Sequence, residues 1–473
     1  MLMHHTTADE NLRLHFWTRV REFAVPPSMV ETATARRSVG DWAGACAAAR
    51  FDVDLDLRAV GRTHGRQLAA QVRADLRHLA PDLLRWHFPR IGPDGLLRPG
   101  LTVSLARYAA GPHLVARTPP AWAAAGQRIS LAWWDPAEPR AGAGTHPHPR
   151  PDRRFRLDLH RHLWDARRAG ELRERSAGGD PPPGLTTALR AAGSRAVGSP
   201  AAEGPAASWA VGPPPAEGPA APWAVEGEGF AVGRWVPEAL LLLRADRCAD
   251  RVITVRLNAG RWLALAPDEP TPVLTAAPRR DPTRPVLPDA ATRTPPDLDL
   301  LRAGLVDADR LHPLVASALV PGHRRTTGSP DPATGPRLVE CRGATHRIGV
   351  VDGVLVPLDH DPDEVRREEL LAEWGGPPLP CLRAIDDVHR QPESLVDVRA
   401  RLDHGDTAGA VAAVEALLGP EALLRAGALR DELDAAVRRR LAHGLYRAGL
   451  AGGPAPSTKD GRRRVRPRHA FSR

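Results

Sequence analysis

The stretch Arg347-Ile-Gly-Val-Val-Asp352-Gly353-Val-Leu-Val356 is the clearest β-hairpin signal in the chain. Two apolar runs flank an Asp-Gly pair, which readily adopts the positive φ angles of a tight two-residue turn. A helical pattern begins just downstream, at Asp361, and continues to about Arg447. Strands and helices gathered in separate stretches of the chain predict an α+β architecture.

Alternating segments upstream of this hairpin predict further half-buried strands. They cover Leu101–Leu105, His113–Arg117, Ile129–Trp133, Val252–Leu257 and Trp262–Leu265. The N-terminal residues instead place apolar side chains at helical spacing over Leu12–Phe23, until Pro26 and Pro27 interrupt the pattern, and Ser28 with Glu31 suits a capping box for the next helix. The expected fold therefore has helical N- and C-terminal parts with antiparallel β-hairpins between them.

The pattern Gly-Asp-x-Ala-Gly-Ala-x-Ala-Ala occurs twice, at Gly40–Ala48 and at Gly405–Ala413. Its Asp is a suitable helix cap, and its small residues allow two helices to pack closely. Both copies therefore predict the turn of a helical hairpin.

A tandem repeat interrupts the middle of the chain. The unit Ala202–Val211 recurs fourteen residues later as Ala216–Val225, with Trp209 and Trp223 at equivalent positions. A segment this rich in Pro, Gly and Ala cannot bury a core, so residues 176–229 are predicted to form a disordered linker. The repeated Trp is either a bivalent docking motif or a by-product of sequence duplication.

The linker separates two predicted α+β domains. The first covers residues 1–175, helical to about residue 90, and the second covers residues 230–450 and ends in helices. Residues 267–296 form a shorter irregular stretch within the second. A disordered basic tail is expected over residues 451–473, where seven basic residues and one acid give +6 of the formal net charge of +9.

The arginines of the tail are the candidates for nucleic-acid contact. Arg462, Arg463, Arg464, Arg466 and Arg468 follow a stretch of Gly, Pro and Ser, which is typical of a flexible arm that touches phosphates without reading sequence. The alternative interpretation is a solubilising terminus.

The basic composition has a genomic origin. Of the 65 Lys and Arg residues only Lys459 is a lysine, and Asn occurs at two positions, as expected from a very high-GC bacterial genome. The number of arginines is therefore no evidence for nucleic-acid binding. Segments such as Arg154–Trp164 and Cys341–Gly349 resemble proteins of high-GC actinobacteria, without pointing to a named family. This resemblance implies a bacterial, cytosolic origin and no particular mechanism.

The cysteines and the apolar runs agree with a cytoplasmic location. No apolar run approaches the ~20 residues that a membrane helix needs, and the N-terminus does not resemble a signal peptide. The cysteines are widely scattered and form no CxxC pair, so most are predicted to be buried, reduced thiols; they are Cys46, Cys248, Cys341 and Cys381.

The segment Asp158-Leu-His160-Arg-His162 resembles the D-x-H-x-H motif of the metal-dependent amidohydrolases and of the polymerase-and-histidinol-phosphatase phosphoesterases. In those families the motif ends a strand, so that alternate histidines share one metal ion. Here the apolar spacing of four within residues 155–163 and a suitable cap at Asp152 predict a helix, which would turn the two histidines apart. No metal is therefore expected, although these residues remain the metal-site candidates.

Three other polar clusters are explained by structure. Asp52, Asp54 and Asp56 open like a calcium loop but lack its Gly and its final Glu, so they are predicted to be solvent-facing residues of an alternating segment. His146-Pro-His148 is expected in a solvated loop. Asp359–Glu364 has the order of a helix start, with Asp361 as the cap.

No catalytic motif of comparable strength is present. The chain lacks a P-loop, a dinucleotide-binding glycine motif, a nucleophile elbow and H-E-x-x-H, and no cofactor is expected. The leading hypothesis is a non-enzymatic cytoplasmic scaffold or regulatory protein that binds an unknown protein through its helical ends, away from membranes. The alternatives are a metal-dependent hydrolase that uses Asp158, His160 and His162, and weak non-specific nucleic-acid association through the tail.

If the tail contacts duplex phosphates, affinity for DNA should fall with salt with a double-logarithmic slope of roughly −4 to −5, for about five neutralised phosphates. Deletion of residues 459–473 should then abolish binding, with little sequence preference in the intact protein. Fluorescence titrations of both chains at two salt concentrations measure this. Equal binding by both would place the contacts elsewhere.

Overall fold

The computed structural model describes residues 3–450 with several gaps. The gaps are residues 110, 140–143, 145, 177–228, 249, 259, 268–271, 278–280, 325–336, 391, 393 and 420–422. The repeat with Trp209 and Trp223 and the basic tail with Arg462, Arg463, Arg464, Arg466 and Arg468 lie outside the described residues.

Helices form the N-terminal part of the structure. They are α1 (Met3–Phe23), α2 (Pro27–Ser38), α3 (Trp42–Ala48), α4 (Leu57–His64), α5 (Arg66–His78) and α6 (Pro81–His87). The predicted apolar face of α1 is confirmed for Phe16, Val20 and Phe23, which are buried, whereas Leu12 is exposed. The capping box predicted at Ser28 is wrong: Pro26 is the cap residue, it makes no side-chain cap bond, and Pro27 begins the helix. A proline at the first helical position has no N–H to satisfy.

A four-stranded sheet packs against these helices. Its strands lie in the order β1 (Phe51–Asp54), β6 (Ile129–Trp134), β5 (His113–Arg117) and β4 (Thr102–Arg107), with a small ribbon of β2 (Arg90–Ile91) and β3 (Leu96–Leu97) beside it. β4, β5 and β6 are antiparallel, as predicted, while β1 adds to β6 in parallel. The expectation of half-buried strands is wrong for β4 and β5, which are buried along almost their whole length. A short helix, α7 (Leu172–Ser176), follows.

The chain after residue 228 builds a second sheet and several short helices. They are α8 (Val232–Asp246), the antiparallel strands β7 (Ile253–Arg256), β8 (Trp262–Ala266) and β9 (Val273–Ala277), and then α9 (Asp289–Thr292), α10 (Pro296–Arg302) and α11 (Pro313–Leu319). The predicted pairing of β7 with β8 is confirmed. β9 and α9 were not expected, because they lie in the Pro-rich stretch interpreted as irregular.

The C-terminal part contains the predicted hairpin and a helical region. The elements are β10 (Arg337–Cys341), β11 (Ala344–Val351), β12 (Val354–Pro357), α12 (Pro362–Glu373), α13 (Pro380–Arg390), α14 (Leu395–Asp403), α15 (Thr407–Leu418) and α16 (Ala428–Arg447). Asp352 and Gly353 adopt φ angles of 50° and 78°, the positive values that the two-residue turn requires. The α+β class is thereby confirmed.

The two Gly-Asp patterns begin helices in the way predicted. Asp41 accepts a hydrogen bond from the Gly44 N–H at 2.8 Å, and Asp406 accepts one from the Gly409 N–H at 3.2 Å. A Cβ at either Gly44 or Gly409 would collide with the capping carboxylate. Glycine at the third helical position therefore makes room for the cap of α3 and of α15.

The largest hydrophobic core combines residues from both sides of the gap at 177–228. Leu300, Val306, Leu311 and Val315 pack into the same buried cluster as the N-terminal helices and the four-stranded sheet. A buried ion pair accompanies this packing. Arg21 Nε donates to Asp297 Oδ1 at 2.6 Å, and Trp86 Nε1 donates to the same carboxylate at 3.2 Å.

Arg85 connects three distant parts of the chain. Its buried guanidinium donates to the carbonyl oxygens of Ala24 at 3.1 Å, Gln127 at 2.5 Å and His404 at 3.2 Å. Arg50 donates to the His404 carbonyl as well, at 2.9 Å. These bonds hold the turn between α14 and α15 against the N-terminal part.

Ion pairs from β1 strengthen the same contact. The prediction that the acids of this segment face solvent is confirmed for Asp54 and Asp56, which are exposed, and is wrong for Asp52, which is half-buried. Asp52 pairs with Arg128 at 2.5 Å and Asp54 pairs with Arg447 of α16 at 2.5 Å. Burial alone would raise the pKa of Asp52, but hydrogen bonds from His443 and Arg128 hold it well below its ordinary value. The acids of this strand thus help to anchor the last helix.

Replacing Asp297 should destabilise the protein strongly, because Arg21 would keep a buried, uncompensated charge. We expect Asp297→Ala to lower the free energy of unfolding by about 3–5 kcal/mol. Asp299→Ala is the matched control: it removes a more exposed pair with Arg13 and should cost no more than about 1 kcal/mol. Urea unfolding followed by tryptophan fluorescence compares the two, and equal losses would contradict the buried role of Asp297.

Candidate functional site

The segment that carries Asp158, His160 and His162 is not the predicted helix. Arg161–Leu163 form one turn of 3-10 helix, and the preceding residues run beside β4. The Asp152 N–H donates to the Thr102 carbonyl and the Asp158 N–H to the Ser104 carbonyl, each at 2.9 Å. These long-range backbone bonds override the local helical spacing.

A series of turns over residues 152–160 brings the two histidines together. The rings of His160 and His162 are 5.8 Å apart in an edge-to-face arrangement, and both are buried. His160 Nδ1 lies 3.0 Å from the Arg156 carbonyl, while its Nε2 lies 3.2 Å from Glu238 Oε2 of α8. Burial lowers the pKa of His162 far below its ordinary value. The expectation that these side chains point apart was wrong.

The acidic side chains near the two histidines already form ion pairs within the protein. Glu238 accepts two hydrogen bonds from Arg175, at 2.8 and 2.7 Å, and Asp158 pairs with Arg156 at 2.9 Å. Burial raises the pKa of Glu238, but bonds from His160 and Arg175 outweigh it and lower the pKa overall. The cluster is a charge-balanced network that joins α7 and α8 to the segment beside β4.

His146 is buried, which corrects the expectation of a solvated loop. Its Nδ1 accepts the N–H of His148 at 3.1 Å, so its Nε2 carries the proton and donates to the Thr118 carbonyl at 2.9 Å. Burial is the main cause that lowers the pKa of His146 to about 4. The imidazole is therefore neutral at pH 7 and is a structural hydrogen-bonding group.

A cleft of about 310 Å³ lies between the four-stranded sheet and α8. Asp246 is the only acidic side chain among the described residues that line it, and Arg107 and Arg156 both pair with it, at 2.7 and 3.0 Å. Arg150 and Arg153 add positive charge to the wall. Such a surface suits an anionic ligand.

Soft metal-ligating side chains meet in the C-terminal part. The ligand atoms of Cys341, His360 and Cys381 all lie within 4.8 Å of one another, and within the described ranges no other set of three His, Cys, Asp or Glu satisfies this distance. Asp361 caps α12 as predicted, by accepting the Asp363 N–H at 2.9 Å. The sequence interpretation accounted for the acids of this run but missed the histidine among them.

Exposed apolar side chains concentrate in the same part of the chain. Of the nineteen large apolar side chains that are exposed among the described residues, thirteen lie between Leu338 and Leu450. Val437, Leu441 and Leu445 form a row on α16, and Trp374 at the end of α12 is 89% exposed. Monomeric proteins rarely leave contiguous apolar surface uncovered unless it binds something.

Comparison with known protein families, curated proteins and solved structures finds no match for this chain. Within the described ranges, the helices are too short or too polar to cross a membrane. Functional inferences for this chain therefore rest on its own surfaces and side-chain clusters.

Lowering the pH should reduce the stability of the folded protein, because the buried His146 side chain resists protonation. Its pKa rises from about 4 in the folded protein to an ordinary 6.5 on unfolding, so the unfolded state binds more protons between these values and stability falls as the pH drops. Between pH 7 and pH 5 the expected contribution is about 1–2 kcal/mol. His146→Gln should lose this part of the pH dependence, measured by urea unfolding at both pH values. His148→Gln, at an exposed side chain, should keep it, and equal slopes for the wild type and His146→Gln would contradict the assignment.

Proposed function

We propose that this protein is a non-enzymatic, cytoplasmic scaffold or regulatory protein that binds a partner protein through α16. The observation that carries the proposal is the row of Val437, Leu441 and Leu445, whose side chains are 65%, 64% and 37% exposed. Residues at this spacing of four lie above one another on a single face of a helix. The row is therefore a continuous apolar strip.

The strip is separate from the face that anchors α16. Leu429, Ala436 and His443 are the buried residues of the helix, and His443 Nδ1 lies 3.2 Å from the Ala123 carbonyl of the N-terminal part. At 100° per residue the buried face and the exposed strip point in different directions. Folding thus uses one face of α16 and leaves the other available for a partner.

Two arginines beside the strip indicate the charge that the partner's surface should carry. Arg438 and Arg440 are exposed and flank it on its two sides. A helix that presents an apolar row with i, i+4 spacing and acidic residues on its flanks would complement this surface in shape and charge. The proposed partner is accordingly an amphipathic helix with an acidic rim.

A photo-crosslinking residue placed at position 441 in bacterial cells should capture such a partner. The captured protein is then purified and titrated against the intact chain and against Leu441→Asp. Because the substitution places a charge in an apolar contact, we expect the affinity to fall about tenfold or more. Thermal stability should not change, since Leu441 is mostly exposed.

Leu12→Asp is the matched control, because Leu12 is a similarly exposed leucine, at 58%, on a helix at the other end of the chain. It should bind as the wild type does. The absence of a cross-linked protein, a cross-link to a second copy of this chain alone, or full affinity of Leu441→Asp would each contradict the proposal.

A further inference from the structure

We propose that Cys341, His360 and Cys381 form a zinc site that fixes the start of α12 and the start of α13. The Cys381 Sγ and the His360 Nε2 lie 3.6 Å apart, and the ligand atoms of all three side chains lie within 4.8 Å of one another. In a tetrahedral zinc site with Zn–S near 2.3 Å and Zn–N near 2.0–2.1 Å, adjacent ligand atoms are separated by roughly 3.5–3.8 Å. The distance between Cys381 Sγ and His360 Nε2 falls within that range, and the other two distances are at most 4.8 Å.

Three different elements bring the ligands together. Cys341 ends β10, His360 directly precedes the cap residue of α12, and Cys381 lies in the first turn of α13. Each position is fixed by backbone structure, since β10 pairs with β11 and both helices have defined starts. A site built on such elements is held more precisely than one on a free loop.

The surroundings are those of a metal centre. Cys341 is 1% exposed, Cys381 is fully buried, and the His360 side chain is 5% exposed. His360 Nδ1 faces Glu364 Oε2 at 3.6 Å, and Arg342 holds that carboxylate at 2.5 Å. A carboxylate behind the second nitrogen of a metal-bound histidine is the usual arrangement that sets its orientation.

The neighbouring His346 packs against the site but is not one of its ligands, because its ring lies nearly parallel to that of His360 and two stacked imidazole planes cannot both contain the same ion. The His346 ring stacks on His360 at 4.2 Å, and its buried Nδ1 finds no hydrogen-bond partner in the described part of the chain. Two thiolates with one imidazole form a soft to borderline ligand set, which selects zinc over magnesium or calcium and leaves the fourth tetrahedral position open.

A metal ion at this site would explain how α12 is held in the fold. None of its residues is buried, although it is twelve residues long, and isolated helices of this length are marginal in water. The small apolar cluster of Cys341, Leu379, Cys381 and Leu382 is separate from the larger cores. A metal ion bonded at His360 and Cys381 would fix both ends of the segment that contains α12.

Metal analysis of the full chain, purified under reducing conditions from cells grown with zinc, tests the proposal. We expect about one equivalent of zinc, and replacement by Co²⁺ should give the visible absorption of a tetrahedral, thiolate-bound ion. Removal of the metal with a chelator should accelerate amide exchange within residues 360–381, and added zinc should reverse the change.

Substitutions of single residues test which side chains bind the zinc. His360→Gln and Cys381→Ser should each lose the metal, whereas Cys248→Ser, which changes a cysteine of the cleft, should retain it. Circular dichroism of His360→Gln establishes whether the variant remains folded, and the metal content of the wild type tests the site without any substitution. Failure of the reduced, metal-free chain to take up zinc, retention of zinc by His360→Gln or Cys381→Ser, or a Cys341–Cys381 disulfide in the protein as isolated would overturn the proposal.

Discussion

The buried guanidinium of Arg85 is the contact on which the arrangement of the molecule depends. It donates to three backbone carbonyls, at Ala24 after α1, at Gln127 in the 3-10 turn before β6 and at His404 between α14 and α15. An arginine can make this contact because its donors are spread over a rigid plane and reach several acceptors at once. Burial lowers the pKa of Arg85 below its ordinary value. The carbonyls must therefore replace the hydration that the charge has lost, which makes their positions mutually dependent.

The sequence was sufficient to predict the features that depend only on residues close together in the chain. The turn at Asp352 and Gly353, the alternating strands β4 to β8 and the caps at Asp41 and Asp406 were all predicted, because each depends on a few consecutive residues. The helix expected around Asp158 failed because backbone bonds to β4 form across some fifty residues of chain. A periodicity of four within so short a segment cannot reveal such a partner.

The sequence drew attention to the histidine pair and missed the cysteine–histidine cluster, because both depend on contacts between residues that are far apart in the chain. His160 and His162 stood out as a motif, yet Arg156, Arg175 and Glu238 take up the polar atoms around them. Cys341, His360 and Cys381 had no recognisable spacing, since successive members lie nineteen and twenty-one positions apart in the sequence. Only the pairing of β10 with β11 and the placement of two helix starts bring them together. The exposed strip on α16 was likewise hidden, because its apolar residues share a helix with a second apolar face.

The contact between the two sides of residues 177–228 has a consequence for the length of the sequence that separates them. Arg175 pairs with Glu238 at 2.7 Å, so residues from the two sides of this range are in direct contact. The entropy lost on closing a chain segment grows only with the logarithm of its length. One further copy of the fourteen-residue unit would cost about 0.2 kcal/mol by that relation. By this relation, the length of sequence between Arg175 and Glu238 has little influence on the cost of bringing the two side chains together.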